Sequence, residues 1–564
     1  MEPSRNKRID AFACAALAAL SLALWLPRFA GPIDLRYDAG VYSVLGSSLA
    51  EGKGYRLLNE PGEIEAIQYP PLLPLLVAAH ERLAGSSEMH AVGHLLRISF
   101  FLLFTAYGLA VYFLARSFLG AGPAFLAAVV SQCHVLTIFM GDLLFGEVPF
   151  ALTTVLCLLV LKKARSLPGR AGAGVLAVAA YLLRSVGLAL LAAWVAAAAL
   201  ERRYGRAALR LAVALVPVLL WQGHIGRVKA SEEYRKPAYE YQRADYQFYN
   251  VGYVENITLI DSFKPELGRA DLSLIARRFL TNLSAIPLVF GEAVSFRREF
   301  LESQLRKIEK RVPFFPPSSL LATMAFGLLG ILILMGLFFL LRAREWTLVL
   351  YVAASVGLVC LTPWPQQFIR YLTPLIPLLA IALGVALTTL AKTRKPAAWA
   401  AGGIVALLLA GQALALWHVY TRFHHRVRYT DSQGIERRYR LFFYGRSWPA
   451  LDQSLDWLRD HSQPSDVIAT SCPHWTWLRT GRKAVMPPFE PDPAEAERLL
   501  DTVPVTWVIV DELEFTDVSR RYAARMAEAR PESWRKVYTS RSGEVRVYRR
   551  VASGNAASPP GGAK

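Results

Sequence analysis

Long apolar blocks separated by short basic runs decide what this chain can fold into. Segments such as Ala11 to Leu26, Leu321 to Leu341 and Tyr371 to Leu390 run for roughly 16 to 21 residues with almost no charge, about the length an α-helix needs to cross a hydrocarbon core of roughly 30 Å. Such runs are too long and too numerous for a soluble core. The pattern predicts a mostly α, polytopic membrane protein with about eleven spans, near residues 10–28, 95–116, 121–141, 148–163, 171–183, 186–200, 207–222, 318–341, 346–361, 370–391 and 396–418.

The formal net charge is +19, a balance that in a soluble chain points to nucleic acid. Here Lys and Arg concentrate between the apolar blocks, which is how a membrane protein fixes its orientation, and nucleic-acid binding is set aside. Cys14, Cys133, Cys157 and Cys360 lie in apolar segments and only Cys472 in a polar one, so neither a disulfide framework nor a metal cluster follows. The basic start, Arg5, Lys7 and Arg8, has the look of a signal peptide. The apolar run behind it is long and lacks a small-residue cleavage site, so it reads as a retained first helix.

Positive residues in short loops orient the spans. With the N-terminus cytoplasmic, the basic loops at Arg116, at Lys162 to Arg170, at Arg202 to Arg206, at Arg342 and Arg344, and at Lys392 to Lys395 all fall inside, provided that Tyr69 to Leu83 lies in the interface. The outer face then collects a loop at 29–94, turns at Asp142 to Glu147, Arg184 and Pro363 to Arg370, and a segment at 223–317 that reads as amphipathic surface helices. Everything beyond about residue 420 also lies outside. This tail, 421–550, mixes a helical pattern at Ser454 to Asp460 with strands at Asp466 to Thr470 and Val505 to Val510. A hairpin over Val537 to Tyr548 turns at Ser542-Gly543, so the tail reads as a small extracytoplasmic α/β domain, with 551–564 a disordered end. The basic stretch His424-His425-Arg426 is expected to follow an anionic membrane surface. His80 and His474 stand alone and read as packing residues. No internal repeat is visible, which weighs against a transporter built of repeated halves.

Ionisable groups at membrane depth are costly, by translocon scales about 2.5–3.5 kcal/mol each, and call for a partner or a use. Asp38, Glu147, Arg184 and Arg370 stand out, all at outer ends of helices. Any one of them alone reads as a solvated or snorkelling residue. Together they have the composition of a site that activates a nucleophile and holds an anion. Asp142 reads as solvated.

The residues around these four resemble the GT-C superfamily of glycosyltransferases, within it the protein O-mannosyltransferases and the lipid A aminoarabinose transferases. Asp38 is followed by Leu49, Ala50, Gly52, Gly54 and Tyr55, then by Tyr69-Pro70-Pro71-Leu72. Gly146-Glu147-Val148-Pro149-Phe150, Leu183-Arg184-Ser185-Val186-Gly187 and Arg370-Tyr371-Leu372-Thr373-Pro374 match later signatures, so the likeness covers about residues 1–420. The tail adds Asp466-Val467-Ile468-Ala469 and Trp507-Val508-Ile509-Val510-Asp511, similar to the tails of bacterial members. One departure is Tyr69, where the aminoarabinose transferases place a Lys before Pro-Pro.

The resemblance implies an inverting transfer from a polyprenyl-phosphate sugar to a hydroxyl of a lipid, protein or glycan acceptor, at the outer face of a bacterial inner membrane. Asp38 would serve as base and Glu147 as second carboxylate. Arg184, Arg370, Tyr371 and Tyr69 would hold the donor phosphate. No metal is demanded, because arginines can carry the leaving charge, although some superfamily members use a divalent cation. Two other readings stay open, a lipid-dependent ligase or polymerase moving whole glycans and a lipid or solute transporter.

Overall fold

The computed structural model describes residues 3–164, 166–430 and 434–551, so that the expected disordered end lies outside the described residues apart from Val551. Helices dominate. From the N-terminus run α1 (Pro3–Trp25), α2 (Ala39–Ala50), α3 (Leu72–Ala84) and α4 (Met89–Ala115). Next come α5 (Ala121–Cys133), α6 (Val135–Asp142), α7 (Glu147–Lys163), α8 (Leu167–Leu183), α9 (Leu188–Leu200) and α10 (Tyr204–Ala230). Two short helices, α11 (Glu232–Arg235) and α12 (Tyr253–Ile257), precede α13 (Leu272–Val294), α14 (Arg298–Glu309) and α15 (Ser318–Arg342). The helical region ends with α16 (Trp346–Cys360), α17 (Phe368–Leu372), α18 (Ile376–Ala391) and α19 (Lys395–Arg422).

The chain divides into two compact units, the first made of 1–35, 69–226 and 270–443, the second of 36–68, 227–269 and 444–564. Among the described residues seven helices are long and apolar enough to cross a membrane, eight if α5 and α6, bent by 53° at their break, form one span. Each stretch expected to span coincides with a helix, but α7, α8, α9 and α16 have 17, 17, 13 and 15 residues. At 1.5 Å per residue these reach only about 20–26 Å, less than a hydrocarbon core of about 30 Å. The 13 residues of α3 are shorter than a span, as its proline-rich start predicts. A difference appears at α13. The sequence reading put surface helices between 223 and 317, and α14 is one, whereas α13 has the length and apolarity of a span. It earns them by replacing charge with Leu, Ile and Phe after its first turns and by packing on α15.

Glycines set the closest helix crossings. On α15, a Cβ at Gly330 would lie 1.7 Å from the Pro287 carbonyl oxygen of α13, and one at Gly336 would lie 1.9 Å from the Ala382 carbonyl oxygen of α18. Between helices in lipid, where apolar side chains gain little by leaving the solvent, such backbone approach supplies the dispersion contact that holds them.

An antiparallel hairpin, β1 (His424–Thr430) with β2 (Glu436–Phe442), follows α19 and belongs to the first unit, although the sequence reading assigned it to the C-terminal domain. Tyr439 packs on Gly31, and Phe443 meets Phe139 of α6 edge to face, contacts that join it to the helices.

The second unit is built on a five-stranded mixed sheet of order β4-β3-β5-β7-β6. Its strands are β3 (Val467–Ala469), β4 (Lys483–Val485), β5 (Val505–Asp511), β6 (Trp534–Thr539) and β7 (Val545–Arg550), with β3 parallel to β4 and β5. Four helices accompany it: α20 (Ser447–His461), α21 (Pro473–Thr480), α22 (Pro493–Leu500) and α23 (Ala524–Ala529). The helix at 454–460, the strands and the turn at Gly543, with φ 78°, match the sequence reading. The unit also draws in 36–68 and 227–269, which that reading left as outer loops. Asn59 exchanges two hydrogen bonds with the backbone of Ala484, covering the β4 edge, and Lys483 reaches the Leu58 carbonyl at 2.6 Å and Glu63 at 2.7 Å. Buried Glu60 accepts from Tyr239, Gln242 and Asn250, and burial lifts its carboxyl above its ordinary value.

Replacing Gly336 by Val should lower thermal stability of the detergent-purified protein by the 1–3 kcal/mol or more that is about the cost of overpacking, read as an earlier loss of monodispersity on heating. An unchanged melting curve would show that α15 and α18 do not depend on this contact.

Candidate functional site

The short loop between α6 and α7 is flanked by two acids, Asp142 and Glu147, and each is held by two arginines. Glu147 opens α7 where the backbone amides and the helix dipole favour a carboxylate, and its side chain is 1% exposed. Arg184 forms an ion pair with it, and Arg370 donates to it from 3.3 Å. Arg184 reaches it because α8 stops at Leu183 and Arg184 itself is extended, φ −151°, before a 3-10 turn at Ser185–Gly187. That turn closes so tightly that a Cβ at Gly187 would lie 2.6 Å from the Tyr181 backbone. Gly146 leaves room for the Arg184 stem. Arg370 sits in the single-turn α17, its guanidinium 4.6 Å from the Phe145 ring centre.

The arginines differ from the acid in exposure. Their side chains keep 16% and 24% of their surface open while Glu147 is sealed. One buried negative charge therefore anchors two partly open positive ones. Tyr371, adjoining Arg370 in α17, and Tyr69 are both half-buried. Tyr69 takes φ 63°, a left-handed conformation that a non-glycine residue seldom adopts and that often marks a functional turn.

The second acid corrects the sequence reading. Asp142 is not solvated: it is 1% exposed, bonded to Arg28 at 2.8 Å and to Arg97. Arg97 also donates to the Pro32 carbonyl, and Arg28 stacks 3.9 Å from the Trp25 ring centre. The Asp34 amide donates to the Asp142 carbonyl at 3.1 Å and the Leu144 amide to the Asp34 carbonyl at 3.0 Å, so the two loop starts form a short parallel bridge. Arg97 was legible by the rule that singled out Arg184, a cation in an apolar helix. An expected helix start at 95 hid it, because the helix begins at Met89.

Asp38 belongs to the second unit. It precedes α2 as its N-cap residue, yet its carboxylate does not cap the helix. Tyr37 before it has φ 58°, held with its ring 5.2 Å from those of both Trp448 and Phe515. Arg36, 0% exposed, lies 4.8 Å from the Trp448 ring centre. A strained residue clamped by aromatics directly before a carboxylate is the signature of an imposed orientation. The histidines are packing residues: buried His474 meets Tyr249 edge to face, and burial brings its pKa down to about 3, while His80 bonds Ser99. Among the described residues no three His, Cys, Asp or Glu side chains are grouped to hold a metal ion, and the carboxylates of Glu147 and Asp142 are engaged by arginines.

Removing Arg97 leaves Asp142 short of a cation in a dry environment. Arg97→Ala should destabilise the protein by about 3–5 kcal/mol, seen as a strong drop in thermal midpoint; a drop no larger than that of an exposed Arg→Ala control would refute the buried pairing.

No protein-family profile and no curated protein matches the chain. Solved structures do. The oligosaccharyltransferase AglB from Archaeoglobus fulgidus, in complex with an inhibitory peptide and a dolichol-phosphate, superposes with a TM-score of 0.54 at 13% identity over 97% of this chain and 74% of its own. An Archaeoglobus fulgidus oligosaccharyltransferase in complex with Zn and sulfate gives 0.54 at 13% identity over 94% and 72%. ArnT from Cupriavidus metallidurans in the apo state gives 0.51 at 13% identity over 95% and 98%. The chain therefore shares its fold, across nearly its whole length, with AglB and ArnT.

Proposed function

We propose that this protein is an inverting glycosyltransferase that takes a sugar from a polyprenyl-phosphate donor and passes it to an acceptor hydroxyl at the extracytoplasmic face. The observation that carries this reading is the pair of partly open guanidinia fixed on buried Glu147. A sugar phosphate leaving group needs such charge, and AglB, which shares the fold, was solved with a dolichol-phosphate.

The acceptor oxygen attacks the anomeric carbon as the bond from that carbon to the phosphate oxygen breaks, and the electron pair leaves on the phosphate. Arg184 and Arg370 bind the departing phosphate as forked donors, with the Tyr371 and Tyr69 hydroxyls beside them. Asp38 takes the proton of the attacking hydroxyl late in the step. Glu147 acts through the arginines as a positioning residue. Arg184 and Arg370, both cations, are the partners that support this assignment. The reading requires no divalent cation, since the guanidinia supply the positive charge. The likeness to an oligosaccharyltransferase favours one second reading, transfer of a whole glycan from the same kind of carrier.

The test is release of sugar from a panel of radiolabelled polyprenyl-phosphate mono- and oligosaccharides by the full-length protein. Asp38→Asn should lower turnover by about 10²–10⁴-fold with the donor still bound. Arg370→Ala should weaken donor binding by about tenfold or more, the worth of a charge-assisted pair, and acceptor binding less. Full activity of Asp38→Asn removes the base assignment; turnover of oligosaccharide carriers alone selects the second reading; no turnover of any donor returns the chain to the transporter reading.

The basic loops support about eleven spans, including the short helices α7, α8, α9 and α16 and leaving α13 on the outer side, with the N-terminus cytoplasmic and the C-terminal domain outside a bacterial inner membrane. A reporter active only in the cytoplasm should work when fused at residue 394 and fail when fused after Val551; the opposite pattern inverts the topology.

A further inference from the structure

The hairpin β1–β2 carries an arrangement that glycosyl transfer does not use. Its register pairs Val427 with Tyr439 on the face turned to the helices, where they are 2% and 7% exposed. The opposite face therefore carries the neighbouring pairs, Arg426 facing Arg440 and Arg428 facing Arg438, all four exposed. Like charges directly across a ladder destabilise it, and a two-stranded ribbon is marginal to begin with. Among the described residues only one acid, Glu436, forms an ion pair with any of the four, reaching Arg438 at 2.7 Å with that side chain 72% exposed. The other three guanidinia of the two-by-two array form no ion pair among the described residues, which leaves room for anions from elsewhere.

Place in the chain says which anions. The hairpin starts two residues after α19, a helix long and apolar enough to span. Toward that end α19 shows Leu414 and Trp417 at 61% and 71% exposure, and Trp favours the headgroup level of a bilayer. From Trp417 to His424 is about one and a half to two helical turns, roughly 10 Å, so the array starts within about a Debye length of the headgroups. Tyr420 ties this end of α19 to the Leu24 carbonyl at the end of α1, which fixes the hairpin at the same level.

We propose that the outward face of β1–β2 is a binding site for anionic phospholipid headgroups, whose phosphates sit between the cross-strand arginine pairs and relieve their repulsion. Planar forked donors suit phosphate oxygens, and two pairs side by side suit neighbouring headgroups in a leaflet better than a lone ion. The site seats the ribbon, and with it the contacts of Tyr439 and Phe443, on the bilayer surface.

The experiment uses the full-length protein in a neutral detergent, heated with added phosphatidylglycerol, phosphatidylcholine or inorganic phosphate, alongside Arg426→Gln/Arg428→Gln/Arg438→Gln/Arg440→Gln and the matching four-Lys variant. Phosphatidylglycerol should raise the melting midpoint of the wild type by several degrees, and the other two should not. The four-Gln variant should be at least as stable without lipid, since its repulsion is gone, and should lose the rise; the four-Lys variant should keep it. Native mass spectrometry should find fewer retained phosphatidylglycerol molecules on the four-Gln variant. A rise that survives in the four-Gln variant, no rise in the wild type, or an equal rise with inorganic phosphate would overturn the proposal, the last by showing an ion site rather than a lipid one.

Discussion

A carboxylate taken out of water must be matched by positive charge, and the first unit is organised around two such debts. Glu147 and Asp142 lie five residues apart in sequence and are both sealed from solvent, each between two arginines from distant parts of the chain. Desolvating an isolated carboxylate costs several kcal/mol after relaxation, so neither acid tolerates loss of its partners. The helices that supply those partners are therefore held in place. Arg28 ends the first helical stretch, Arg97 rises from α4, Arg184 marks the end of α8, and Arg370 comes from α17.

The two clusters do different things with the same chemistry. Around Asp142 the cations are themselves buried, and other donors of theirs reach backbone carbonyls of residues 31 and 32 and of Ile138. That cluster is a mount: it bridges the strand-like start of the first loop, at Asp34, to Leu143. Around Glu147 the arginines keep part of their surface open. Burial of the anion with partial exposure of the cations is what separates the Glu147 cluster from the Asp142 one.

The second unit meets a different constraint. Its sheet has an exposed edge at β4 and a polar loop, 36–68, that cannot form a core alone; each covers the other, with Glu60 and Asn59 as the polar joints. The same loop begins with the strained Tyr37, so the orientation of Asp38 is settled by aromatic packing from α20 and the 512–518 segment.

Periodicity and charge made much of this legible. An apolar run of membrane length has no stable alternative to a helix in lipid, so the span-bearing helices, the break at Arg184 and the outlying cations of the anion cluster could be read from residues alone. The β-pattern of the tail and its Gly543 turn were equally local. What the residues could not reveal was partnership. Asp142 looks like any acid beside a helix end until Arg28 and Arg97 arrive from 114 and 45 positions away. The hairpin reads as a string of basic residues until the register sets arginine against arginine. The second unit, assembled from three stretches, has no linear signature because its joints are all long-range: Asn59 bonds the Ala484 backbone, and Tyr239 and Tyr241 share a core with the sheet. Local preference is encoded in short windows of sequence, whereas the matching of buried charges and the register of strands exist only between segments, and tertiary structure alone decides them.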